Sequence, residues 1–216
     1  MATGRSSATE TVLRVLVVTD PMCSWCWGMS PAVEVVADRL AGDVEFDFLL
    51  GGVNTHGTQP IGNYGRRLLM HIWREVQATT GQHFGFRLPE GLIFNSTLPC
   101  LAVAAVRVAS GHAPFGYLHR LQQLFFAEGA NINDVELLLR TAEDFGADRR
   151  AVAEHMEEET LRAEVMAEFA GARGYGTSAL PSVLIDREGE RRLLTGGYAD
   201  ADMLEMLIRQ ELPSSC

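Results

Sequence analysis

The chain alternates between two hydrophobic periods, and the changes of period mark out its elements. Val12-Leu13-Arg14-Val15-Leu16-Val17-Val18 is short, β-branched and nearly uninterrupted, the pattern of a strand buried on both faces. From Ser30 to Leu40 the spacing becomes helical, with Val33, Val36, Ala37 and Leu40 on one side. Val44 to Leu50 reads as a second strand that stops at Gly51-Gly52, and the Gly-, Asn- and Thr-rich stretch from Gly51 to Gly65 reads as a long loop. Helices are then predicted over Arg66–Thr80, Leu98–Ser110, Phe115–Glu128, Asp134–Phe145 and Arg149–Ala170, with Asn133-Asp134 as a cap and Gly81, Gly111, Gly129 and Gly146 as stops. No comparable strand interrupts them. Ser182 to Ile185 and Arg191 to Thr195 then flank the turn Asp186-Arg187-Glu188-Gly189 as a hairpin, and an amphipathic helix follows from about Asp200 to Gln210.

Read in order, the ends of the chain make a β-α-β…β-β-α core, an α/β arrangement of the thioredoxin-like type. An all-helical insertion separates its second and third strands. The expected segments are 12–58 and 173–212 for the core and 59–172 for the insertion. A chain of 216 residues, 47% apolar and 21% charged, is ordinary for a globular protein with a substantial core. The formal charge of −10 argues against nucleic acid or an anionic membrane as a partner. All 18 basic residues are arginine, which reads as a bias of composition. No apolar run is long enough to span a bilayer, and the first eleven residues lack the apolar centre of a signal peptide. The expected location is cytoplasmic.

Four cysteines, Cys23, Cys26, Cys100 and Cys216, are too few for a disulfide scaffold. Cys100, near the start of an apolar helix, reads as a small core residue, and Cys216 as an incidental terminal thiol or an intermolecular bridge. Cys23-Ser24-Trp25-Cys26 is different, because it sits where the first strand ends and a helix begins. A cysteine at a helix N-terminus faces unpaired N–H groups and the positive end of the helix dipole, which favour thiolate over thiol. A second cysteine one turn on can resolve a mixed disulfide. Zinc is the competing reading of Cys-x-x-Cys, but it needs about four ligands, and no second such pair or i, i+4 histidine pair accompanies this one. No metal is expected. The glycines after the second strand match no phosphate-binding pattern. Leu180-Pro181 immediately precedes the hairpin, where a proline either merely opens a strand or builds a sharp cis turn.

The segment Asp20-Pro21-Met22-Cys23-Ser24-Trp25-Cys26-Trp27-Gly28 resembles the active-site signature of DsbA-family proteins, specifically the FrnE-like cytoplasmic branch. Phe94-Asn95-Ser96, Leu124–Gly129 before Asn131–Asp134, and Gly174–Ser182 add to the likeness, which runs from about Val12 to Leu212. The resemblance implies a thioredoxin fold with a helical insertion, a cis proline at Pro181, and dithiol–disulfide oxidoreductase or isomerase activity. It makes Cys23 the exposed nucleophile and Cys26 the resolving thiol. Leu180 and Pro181 would hold the substrate chain. Met22, Trp25, Trp27 and Met29 crowd the motif, either as an adaptable apolar rim for unfolded segments or as simple packing. Asp20 either caps the helix or assists proton transfer to Cys26. The expected partners are protein or small-molecule thiols and disulfides, with no cofactor beyond glutathione as a redox partner. Some FrnE-like proteins carry a second cysteine pair near the C-terminus; here only Cys216 stands there. Kappa-class glutathione transferases and 2-hydroxychromene-2-carboxylate isomerases offer an alternative on the same fold, with serine where Cys23 stands, and a non-enzymatic peptide-binding module offers another. Oligomeric state is not legible.

Overall fold

One mixed sheet organises the chain. A computed structural model describes residues 13–213, so Val12 and Cys216 lie outside it. The strands β1 (Leu13–Thr19), β2 (Val44–Leu50), β3 (Ser182–Arg187) and β4 (Glu190–Gly196) are ordered β2-β1-β3-β4. β1 pairs parallel with β2, which requires the crossover helix α1 (Ser24–Arg39) between them. β3 runs antiparallel to β1 and forms a hairpin with β4. The hairpin turn is tight because Glu188 and Gly189 both take left-handed backbone angles, φ 55° and 90°, the conformation that matches the twist of the strands.

Alternation along β1 sends its side chains to two buried faces. Val15 and Val17 join the main core, whereas Leu16 and Val18 pack with Leu184 and Ala172 in a smaller cluster on the opposite face. That double burial is why the strand reads as continuously apolar. α1 begins at Ser24, six residues before its hydrophobic period becomes visible. Cys26, Trp27, Gly28 and Met29 are all buried, so the first turns show no polar face. Within the helix Pro31 removes the N–H that would bond the Trp27 carbonyl. That oxygen instead accepts hydrogen bonds from Ser30 Oγ at 2.9 Å and Gln82 Nε2 at 3.1 Å.

Between β2 and β3 lie α2 (Asn63–Thr80), α3 (Thr97–Ser110), α4 (Phe115–Phe126), α5 (Val135–Asp144), α6 (Arg149–Met156) and α7 (Glu159–Ala172). α2 comes so close to α1 that a Cβ on Gly28 would stand 2.7 Å from Val76. Trp73, Phe84, Phe125 and Phe126 form an aromatic cluster that ties α2 to α4. The single helix expected over Arg149–Ala170 is two helices. Its buried positions run Val152, Met156, then Leu161, Val165 and Phe169; the five-residue step turns the apolar stripe away from its own face. A break at Glu157-Glu158 lets both pieces pack on α3. α8 (Ala201–Arg209), capped by Asp200, closes the chain against α1.

Candidate active site

The end of β1, the start of α1 and the entry to β3 converge on the two cysteines. Cys23 is the N-cap of α1, and its Sγ accepts a hydrogen bond from Cys26 N–H at 3.1 Å. The capping geometry orients a sulfur at the dipole's positive end, where negative charge is favoured. Cys23 is 8% exposed and Cys26 3%, so neither sulfur is openly displayed, against the expectation of an exposed Cys23. The reason is local: Met22, Trp27 and Met29 turn into the core at 1%, 4% and 1% exposure and draw the motif inward. They are therefore packing residues, the second of the two expected readings, and not a rim. Trp27 donates its indole N–H to the His83 carbonyl at 2.9 Å. Only Trp25 stays half-buried, its ring 6.1 Å from that of Tyr198, which follows the Gly196-Gly197 turn.

Burial is the largest influence on the Cys26 thiol and pushes its pKa well above the ordinary value. The neighbouring Cys23 sulfur and the Asp20 carboxylate add to the rise, and a hydrogen bond with the Thr19 side chain opposes it. Asp20 does not cap α1, which corrects one of its two expected roles. It is 0% exposed, and its oxygens accept from Met22 N at 2.7 Å, Ser96 Oγ at 2.6 Å, Val53 N at 3.1 Å and Cys100 Sγ at 3.3 Å. One carboxylate thus ties the motif to the loop after β2 and to α3. Burial raises its pKa, and these hydrogen bonds pull it down without reversing the shift. Cys100 is buried as expected, but it is more than filling: its thiol donates to Asp20, and burial pushes its pKa well up. Ser96, Val53, Thr19 and Gln122 carry no sequence signal of their own; only Ser96 falls within a segment that carries the resemblance.

The Leu180–Pro181 peptide is cis. The Pro181 carbonyl accepts from Gly197 N at 2.8 Å, while the Leu180 N–H and C=O have no partner among the described residues. Leu180 itself is half-buried and lies over Gly51, where a Cβ would stand 2.6 Å from its methyl group. Pro181 and Cys26 line a common cavity of about 450 Å³. Among the described residues no cluster of three His, Cys, Asp or Glu side chains is placed to hold a metal. No helix among them is long and apolar enough to cross a membrane.

A paired cysteine motif at a strand-to-helix junction, sharing a cavity with a cis proline that opens the neighbouring strand β3, defines a thioredoxin-fold protein with a dithiol site. The sequence model of the DSBA-like thioredoxin domain matches residues 14–209, and the chain belongs to that family. Among solved structures it is similar to a candidate protein disulfide isomerase from Nitrosomonas europaea, with 26% identity over 93% of this chain and 97% of the other and a TM-score of 0.84. It is also similar to the cytosolic disulfide reductase DsbM from Pseudomonas aeruginosa, with 25% identity over 92% and 98% of the two chains and a TM-score of 0.76. A 2-hydroxychromene-2-carboxylate isomerase shares the fold, at 13% identity over 92% of this chain and 94% of the other and a TM-score of 0.60. No curated protein matches the sequence.

Proposed function

We propose that this chain is a cytoplasmic dithiol–disulfide oxidoreductase of the FrnE-like branch, exchanging disulfides with protein or small-molecule partners through Cys23 and Cys26. The observation that carries the reading is the Cys23 sulfur at the N-cap of α1, held by Cys26 N–H at 3.1 Å with the second thiol one turn behind it. The Cys23 thiolate attacks a substrate disulfide, forming a mixed disulfide and releasing one thiolate. Cys26, once deprotonated, attacks the Cys23 sulfur; a Cys23–Cys26 disulfide forms and the second thiolate leaves with the electron pair. The free N–H and C=O of Leu180 suit backbone pairing with an extended substrate. Trp25, half-buried near Tyr198, would supply an apolar contact, and the Asp20 charge, which helps raise the Cys26 pKa, would influence release of the Cys26 proton. The cycle needs no cofactor, only a thiol reductant or disulfide oxidant to reset the pair. Glutathione is a candidate for that role, since DsbM has been crystallised with it.

A transferase or isomerase reading is disfavoured by Cys26, because conjugation needs no resolving thiol. A pure binding module has no use for two adjacent thiols. Reduced protein is expected to consume one equivalent of a small disulfide, and Cys23→Ser to lose turnover entirely in insulin reduction and in refolding of scrambled substrate. Full activity in Cys23→Ser would overturn the assignment. The equilibrium potential against glutathione then sets the direction of electron flow, a value of about −270 mV marking a reductase and about −120 mV an oxidant.

A further inference from the structure

The cavity that Cys26 shares with Pro181 extends well beyond the motif, between α1, α4 and the sheet. Its inner end is formed by buried residues: Cys26, Pro181 and Thr19. Outward along α1 come Ser30, Glu34 and Asp38, so that with Cys26 the helix offers one residue every four, a single stripe from the resolving sulfur to solvent. At the helical rise Glu34 lies about 12 Å and Asp38 about 18 Å along the axis from Cys26, and both side chains lean back toward the motif. The facing walls are apolar, from Phe46 on β2 and Phe115 and Leu118 on α4. At about 450 Å³ the space suits a small molecule or one long side chain.

Besides the hydroxyls of Thr19 and Ser30, the polar side chains on this lining are Gln122, His119, Glu34 and Asp38. Gln122 is 2% exposed, and its Nε2 is committed to the Asp20 carbonyl at 3.1 Å. Its Oε1 has no partner among the described residues and is not sealed from solvent, which leaves a free acceptor open to the cavity. Asp38 makes no ion pair among the described residues. Glu34 has only His119, whose Nδ1 stands 3.4 Å from Oε1 and is too poorly aligned for a hydrogen bond. No arginine lines the cavity, and the chain contains no lysine. The cavity therefore presents an apolar body, one free amide acceptor and two carboxylates at its mouth, with the His119 ring beside Glu34.

We propose that this cavity is a specificity pocket for small disulfides whose side group is an amphipathic cation, an apolar stem ending in an ammonium or guanidinium. The proposal rests on the reading of Cys23 and Cys26 as the exchanging pair, since the cavity holds the part of the substrate that does not react. The stem would displace water from the apolar walls. The cation would point along the α1 stripe, near the Gln122 carbonyl and toward Glu34, with Asp38 adding to the negative field at the mouth. Glutathione disulfide, net anionic, fits this mouth poorly, so the pocket separates the substrate from a regenerating thiol.

The test uses three disulfides of similar size and different charge: cystamine (cationic), hydroxyethyl disulfide (neutral) and 3,3′-dithiodipropionate (anionic). Oxidation of the reduced protein by each is timed at low and high ionic strength. At low ionic strength the cystamine-to-dithiodipropionate rate ratio, divided by the same ratio measured with free dithiothreitol to remove the difference in leaving-thiol pKa, is expected to reach about tenfold or more, and Glu34→Gln/Asp38→Asn to bring that normalised ratio to within about threefold of unity. The distant pair Glu143→Gln/Asp144→Asn controls for the overall negative charge and is expected to keep the ratio. A ratio that survives Glu34→Gln/Asp38→Asn, or that falls equally in the control, overturns the proposal. Phenethylammonium, which has no sulfur, reads the pocket apart from the thiols: it is expected to bind and to slow cystamine oxidation, both weakened in Glu34→Gln/Asp38→Asn. If it neither binds nor competes, the pocket is wrong although the exchange chemistry stands. If it binds while all three disulfides are inert, the pocket stands and the oxidoreductase reading falls.

Discussion

Replacing Asp20 by asparagine tests how a single buried carboxylate supports the motif. The side chain is fully enclosed and accepts four hydrogen bonds, from Met22 N, Ser96 Oγ, Val53 N and Cys100 Sγ. An amide retains one acceptor oxygen. If that oxygen faces Val53, Ser96 and Cys100, the new NH₂ opposes Met22 N–H and two donors are stranded. If it faces Met22, the NH₂ can donate to Ser96 Oγ. Ser96 then turns to the Val53 carbonyl, 3.3 Å away, and still accepts from Val53 N at 2.7 Å. The second arrangement leaves only the weak Cys100 donor and the second amide hydrogen without an oxygen acceptor, so Asp20→Asn is expected to cost about 1–2 kcal/mol where Asp20 is protonated. The cost depends on pH. The folded-state pKa of Asp20 is raised, so its contribution is fully present below the unfolded value of 3.8. It is lost as pH rises from there through the folded pKa, at about 1.4 kcal/mol for each unit of upward shift. Asparagine has no such slope. Urea unfolding at intervals from pH 4.5 to 8.5 is therefore expected to show the variant weakest relative to wild type at the acid end, with the gap narrowing or reversing toward pH 8. Parallel stability curves would refute the account. The same substitution removes a negative charge that helps hold up the Cys26 pKa, so thiolate absorbance is expected to show Cys26 ionising at lower pH.

Two further outcomes follow from burial. Gly85→Ala places a Cβ 2.0 Å from the Ala127 carbonyl oxygen, where backbone and not a flexible side chain must yield; a loss above about 2 kcal/mol is expected in urea melts, and a change under about 0.5 kcal/mol would show that the loop moves freely. In a Cys216→Ser background, alkylation of the reduced native protein at pH 7.5 is expected to modify Cys23 first and to reach Cys100 only on unfolding, because burial raises the Cys26 and Cys100 thiols. Mass mapping that finds Cys100 modified as early as Cys23 would contradict the enclosed geometry.

What the sequence determined by itself was everything encoded among near neighbours. The short β-branched runs, the helical spacing, the Glu188-Gly189 turn, the Asp134 cap and the place of Cys23 at a helix start all depend on residues within about four positions of each other. The resemblance carried by the motif added Leu180 and Pro181, which no local pattern connects to Cys23. Burial of Met22, Trp27 and Met29, and the break between α6 and α7, were decided by what packs against them. Asp20 makes the same point most sharply. Its donors Val53, Ser96 and Cys100 lie 33, 76 and 80 positions away, so no window of sequence could separate a buried hub from a helix cap. The cavity beside Cys26 likewise exists only because the insertion lays α4 alongside α1, placing Gln122 and His119 opposite Glu34. Local chemistry is written in the order of residues; charge and solvation at the two sulfurs depend on neighbours that only the folded chain brings near.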